Sequence, residues 1–130
     1  MSQSQDPFKV LDAVVANGIG TPMLISDYRH LTLGLDAPTA SATIKFQVSM
    51  QKEMPDFAAA QSPTNQWDYA RSIDLEDASS LDGDTGVVLS SASVNKQYEV
   101  QINAARWFCP IVSGWSGGAI TLLAFARNDS

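Results

Sequence analysis

Carboxylates crowd one short stretch of the chain: Asp74, Glu76, Asp77, Asp82 and Asp84. Two such acids in a cleft could serve as acid and nucleophile at a glycosidic bond. An oxygen-rich loop punctuated by glycine could instead hold a calcium ion. The segment Leu81-Asp82-Gly83-Asp84-Thr85-Gly86 fails the EF-hand spacing, which needs acids at alternate positions and a closing glutamate. Asp-Gly is also the strongest short hairpin signal. Turn chemistry is therefore the reading, and calcium at Asp82 and Asp84 the lesser one; otherwise no cofactor is expected. Adjacent acids without aromatics around them make a solvated loop rather than a catalytic cleft.

Cys109 is the only cysteine, so an intrachain disulfide or a Cys-rich metal site is excluded. It lies in the apolar run Arg106-Trp107-Phe108-Cys109-Pro110-Ile111, where a buried thiol packs as a small hydrophobe. A nucleophilic role would need an activating base. The one histidine, His30, alternates with Leu31, Leu33 and Leu35 and so faces away from the core, without the further ligands a metal requires. Trp67, Trp107 and Trp115 could form a platform for stacking sugars. Trp67 and Trp107 fall on core-facing positions, which favours packing. Trp115 sits in the glycine-rich Ser113–Gly118 segment, expected to be an exposed turn, and is the tryptophan expected to touch a partner. Arg71 interrupts the inward series Trp67, Tyr69, Ile73 and Leu75, which points to a bulge, an edge or a pair with a nearby acid. No nucleophile elbow, P-loop, dinucleotide fingerprint or metalloprotease motif occurs, and Gly114–Gly118 precedes a strand, so no helix N-terminus awaits a phosphate. No catalytic or metal-binding residue is assigned, and an enzyme is not expected.

The elements that must position these residues follow from alternation of apolar and polar side chains, the mark of a strand with one buried face. Ala42–Gln51 alternates through Ile44, Phe46, Val48 and Met50; Trp67–Glu76 through Trp67, Tyr69, Ile73 and Leu75; Lys96–Asn103 through Tyr98, Val100 and Ile102. Tyr28–Asp36, Phe8–Ala16, Pro22–Ser26 and Thr85–Ser91 read as further strands. Arg106–Ser113 and Gly118–Ala126 are apolar on both faces, as for strands covered on both sides. One short helix is predicted at Pro55–Gln61, with Pro55 at its first position, inside the long connection Lys52–Gln66. Eight or nine antiparallel strands without helices to cover them must bury one sheet against another. The fold class is all-β, an antiparallel β-sandwich of jelly-roll or immunoglobulin-like type, with a closed barrel as the alternative. The chain divides into an N-terminal arm, residues 1–10, and a single domain, residues 11–130.

Composition narrows the partners. The net charge is −6 with only eight Lys and Arg, which argues against nucleic-acid binding and against anionic membranes. Charged residues make up 17% of the chain, against about 25% in ordinary domains, as expected of a surface partly covered by other subunits. The N-terminus has neither the basic nor the apolar region of a signal peptide, and no apolar run approaches a membrane span. Synthesis in a cytoplasm follows as an expectation.

The run Asn65-Gln66-Trp67-Asp68-Tyr69, then Ile73-Asp74-Leu75-Glu76-Asp77 and Leu81-Asp82-Gly83-Asp84-Thr85-Gly86, resembles small β-sandwich virion proteins of tailed bacteriophages. So does Tyr98-Glu99-Val100-Gln101-Ile102-Asn103, with Ala105-Arg106-Trp107 and the glycine-rich segment that leads into Ile120–Phe125. The resemblance spans residues 20–126. It implies a virion component made in the bacterial host, with a capsid decoration (cement) protein favoured. Its partners would be other virion proteins, first the major capsid protein, and further copies of itself in a symmetric oligomer. Interface candidates are Phe8 in the arm, Pro55 and Phe57 in the long loop, and Trp115. The alternatives are a head–tail connector ring, and a tail-tip or fibre module holding a glycan at Trp115 and the Asp82–Asp84 loop.

Overall fold

The computed structural model describes residues 7–102 and 105–127. Its twelve strands are β1 (Phe8–Val14), β2 (Gly18–Ile19), β3 (Met23–Leu24), β4 (His30–Ala37), β5 (Ser41–Ser49), β6 (Asp68–Tyr69), β7 (Ser72–Asp74), β8 (Ser80–Leu81), β9 (Val87–Ser90), β10 (Val94–Val100), β11 (Trp107–Ser116) and β12 (Ile120–Arg127). The first sheet has the order β1-β12-β4-β10-β7-β8; the second has β2-β11-β5-β6, with β3 also on β11 and β9 also on β5. Every pairing is antiparallel. The all-β, sandwich-like arrangement expected from alternation is the one that forms. The strand count exceeds eight or nine because five strands are only two or three residues long, too short to show a period.

Burial of one face of each sheet drives the association. Leu31, Leu33 and Leu35 of β4, Ala42, Ile44 and Phe46 of β5, Tyr98 and Val100 of β10, and Ile120, Leu122 and Ala124 of β12 form one cluster. Phe46 and Phe108 meet within it, ring centres 6.1 Å apart. Two corners tie the sheets together through the backbone. At one, Gly20 N donates to Pro110 O of the second sheet and Thr21 N to Val10 O of the first. The gap between β2 and β3 thus falls where Pro110 has no N–H to offer.

The other corner corrects the reading of Trp67–Glu76 as one strand. Ala70 N donates to Phe46 O in the second sheet, while Gln101 N, in the first, donates to Arg71 O. The chain changes sheets at Ala70–Arg71, and the phase resets. Ser72 and Asp74 are buried, whereas Leu75 is 50% exposed. Arg71 marks this crossover rather than a bulge within a strand.

No helix forms among the described residues. At Pro55–Gln61, Asp56 Oδ1 accepts from Ala58 N and its carbonyl from Ala59 N, an Asx turn that takes the place of a helical start. The described part of the expected arm, residues 1–10, lies in the fold. Phe8 pairs with Ala124 and Lys9 with Leu123, so part of residues 1–10 belongs to the sheet; Met1–Asp6 lie outside the described residues.

Candidate functional site

An open groove of about 450 Å³ lies at the crossover corner, where β5 and β6 of one sheet end beside the end of β10 in the other. Its walls include Met50, Trp67, Tyr69, Arg71, Gln101 and Ile102. Tyr69, Arg71 and Gln101 are placed by features already described. The two-residue β6 holds Tyr69 opposite Gln47, the crossover presents Arg71, and the bond from Gln101 N to Arg71 O closes the far side. Trp67 and Tyr69 meet edge to face, centres 5.1 Å apart, and Lys45 Nζ stands 4.8 Å from the Tyr69 ring centre, within cation–π reach. Trp67 Nε1 donates to Ala59 O, which anchors the indole from the loop side. An aromatic wall, an amide and a guanidinium around an open hollow suit a polar ligand with one flat apolar face.

The long loop is the neighbouring wall and is closed on itself. Gln66 N donates to Gln51 Oε1 at 2.9 Å and Ser49 Oγ to Gln66 O at 2.5 Å. Asn65 Nδ2 donates to the Asp56 and Ala60 carbonyls. Loop ends held together around an internal network are the Ω-loop pattern. Two of its apolar residues are buried, while Met54 is 51% exposed. Pro55 is buried and Phe57 is 2% exposed, with the Phe57 carbonyl accepting from Gln47 Nε2 at 2.9 Å. The exposure expected of Pro55 and Phe57 is corrected by their burial, and Phe57, bonded to Gln47 on the side of β5 away from the main core, covers the outer face of the second sheet. Trp115 is corrected too. It lies in β11 rather than a free turn, half-buried, with its backbone N donating to Asn17 Oδ1 and its Nε1 to Gly118 O. Of the four interface candidates, Phe8 stands most open, 42% exposed. Trp107 is corrected from core to outer face: Phe108 faces the other sheet, while Trp107 Nε1 donates to Gln51 O.

The acidic stretch resolves into turn chemistry and one ion-pair cluster. Asp82 Oδ1 accepts from Asp84 N, and the Asp82 carbonyl accepts from Thr85 N and Gly86 N. Among the described residues no three His, Cys, Asp or Glu side chains converge as metal ligands. Asp74 accepts from Lys96 Nζ at 2.7 Å, and Lys96 also reaches Glu76 at 2.8 Å. That ammonium, then the Glu76 N–H on Asp74 Oδ1, holds the Asp74 carboxyl below the usual range. Hydrogen bonds from Ser79 do the same for Asp77. Cys109 is buried against Gly20 O, and burial pushes its thiol up to about 12, the opposite of an activated nucleophile. His30 is half-buried in β4 on the face away from the core, as its alternation with the leucines required. These groups do not meet: Asp74, Cys109, His30 and Trp115 lie on separate parts of the molecule.

Sequence reasoning missed the groove, although both of its aromatics had been singled out as core. The available clue was Arg71 in an inward position, which marked the crossover that opens it. No helix among the described residues is long and apolar enough to cross a membrane. No protein-family model matches the chain, and no curated protein matches it in sequence. The crystal structure of the SPBc2 prophage-derived protein YomS shares the fold, with a TM-score of 0.74 over 98% of this chain and 96% of that one, at 12% identity.

Proposed function

We propose that the chain is a non-enzymatic structural protein of a tailed-phage particle and, within it, a decoration protein that docks on the capsid lattice. The observation that carries this reading is the whole-chain fold shared with a prophage-derived protein; the low share of charged residues in the chain and the virion-protein resemblance of residues 20–126 support it. Exposed apolar side chains are available for docking: Phe8 on β1, and Val15, Ile19 and Leu24 along the β2–β3 edge. Binding only the assembled lattice stabilises it by mass action, and many weak sites add together. The test is co-sedimentation of the purified protein with empty capsids of the encoding phage. Saturation at a fixed ratio to the capsid subunit is expected; absence of binding at saturating concentration refutes the decoration role.

A second reading rests on the groove beside Trp67. An open aromatic wall flanked by Arg71 and Gln101 suits a host glycan, which would make the chain a tail-tip module with its site at Trp67 and Tyr69 rather than at Trp115. Retention on a glycan array, lost in Trp67→Ala, would favour this reading over decoration.

A further inference from the structure

A sheet face turned to solvent is normally polar. The outer face of the first sheet carries Leu123 and Phe125 on β12, with Gly34 in the middle of β4. Gly34 stands directly across the ladder from Leu123 on one side and Gln97 on the other. Its φ is not left-handed, and a Cβ built there would meet nothing within 4 Å. Neither backbone conformation nor crowding within the chain calls for glycine, which weakens a strand interior. Such a glycine marks close approach by another group. Gly34 lies in an open hollow of about 340 Å³ lined also by Pro7, Thr32, Gln97, Leu123, Phe125 and Arg127.

We propose that this face is a self-association surface, occupied by a second copy of the chain. The hole and the knob that fits it are neighbours on one rung: Gly34, and Leu123, which is 37% exposed. A twofold axis lying along the strands between β12 and β4 sets each Leu123 over the other copy's Gly34, the self-complementarity that a twofold interface demands. Charge agrees with the same axis. Lys9 lies on the β1–β12 half of the face and Glu99 on the β4–β10 half, one rung apart, and the axis lays each half over its opposite. Lys9 also holds Asp12 at 3.6 Å, with both side chains mostly exposed, an attachment weak enough to be shared. Four strands about eight residues long present roughly 500 Å² per copy, or about 1,000 Å² in all, the size of a weak, reversible interface. The inference does not depend on the role in a particle.

Sedimentation equilibrium of the purified full chain tests it. The expected mass rises with concentration from the 14.0 kDa of one chain towards twice that value. Gly34→Thr puts a side chain into the hollow, where a Cβ meets nothing within 4 Å; it should melt no lower than wild type yet raise the dissociation constant roughly tenfold or more. Glu99→Lys should also weaken association, and adding Lys9→Glu should restore it. A mass of 14.0 kDa at every concentration up to about 1 mM overturns the proposal. So does a dimer that Gly34→Thr leaves unchanged, because its interface would lie elsewhere.

Discussion

Replacing Phe57 by alanine separates a loop that is an anchor from a loop that is a docking arm. The ring is 2% exposed although it lies outside the main core, and its carbonyl receives the buried Gln47 amide. Returning a phenylalanine to water costs up to about 3 kcal/mol, and the cavity left behind adds to this, giving about 3–5 kcal/mol for Phe→Ala in packed sites. A surface loop collapses more readily than a core, so the lower end applies, about 3 kcal/mol. For 130 residues the unfolding entropy is about 0.27 kcal/mol per kelvin, so the melting temperature should fall by about 11 °C.

Urea unfolding followed by tryptophan fluorescence measures this directly, with Phe57→Leu as the control that keeps most of the volume and should lose less than about 1.5 kcal/mol. Hydrogen exchange adds the location. Protection at the Asp56 and Gln66 amides, which bond to Asn65 Oδ1 and Gln51 Oε1, should fall more than protection in β4. A Phe57→Ala loss under about 1 kcal/mol, the range of ordinary surface changes, would refute the anchoring and return Phe57 to the surface candidates.

Three other perturbations test separate parts of the structure. Gly86 has φ of +68°, and a Cβ there would lie 2.4 Å from Ile44 O and 2.8 Å from Lys45 Cγ; Gly86→Ala should cost about 2 kcal/mol or more in urea unfolding. Cys109, with its thiol pushed up to about 12 by burial, should resist iodoacetamide at mildly alkaline pH and react once urea unfolds the chain; rapid native-state labelling would contradict its burial. Asp74 is held below its ordinary value of 3.8, so its contribution is present above that value and is lost as pH falls through the lower folded one. Asp74→Asn should therefore flatten the acid limb of a stability–pH curve. Lys96 is shifted the other way, above 10.5, so its share persists at neutral pH and is lost only as pH rises through the raised value.

How much of this could be read from residue order depended on whether a strand stays in one sheet. In β4 and β10 it does, and the alternation placed Leu31, Leu33, Leu35, Tyr98 and Val100 on the buried face they occupy. At Ala70–Arg71 the backbone trades one sheet for the other within two residues, and the period carries straight through a point where its meaning reverses. The inward and outward sets exchange, so Ile73 and Leu75 lose the places that Ser72 and Asp74 take. Between Ser113 and Ser116 the pairing shifts register, with Gly114 at a φ of +63°, and β11 continues past a glycine that looked like its end. Trp115 was misplaced for that reason.

The loop was misread for a different reason, and the correcting clue was already present. A strand apolar on both faces needs a cover on both. In β11, Phe108 and Val112 face the main core, while Cys109, paired with Gln47 of β5, is buried on the other side. Among the described residues no helix lies over that second face, and its cover comes from connections: Gly20 beside Cys109, and the long Lys52–Gln66 loop beside Gln47 of β5. The loop therefore had to send an apolar side chain inward, and its one aromatic residue is Phe57. Covering that face also brings Ala59 to the Trp67 indole. The same packing that removes Phe57 from the surface thus fixes the aromatic wall of the groove, so loosening the loop with Phe57→Ala should disturb any ligand held at Trp67 without touching it.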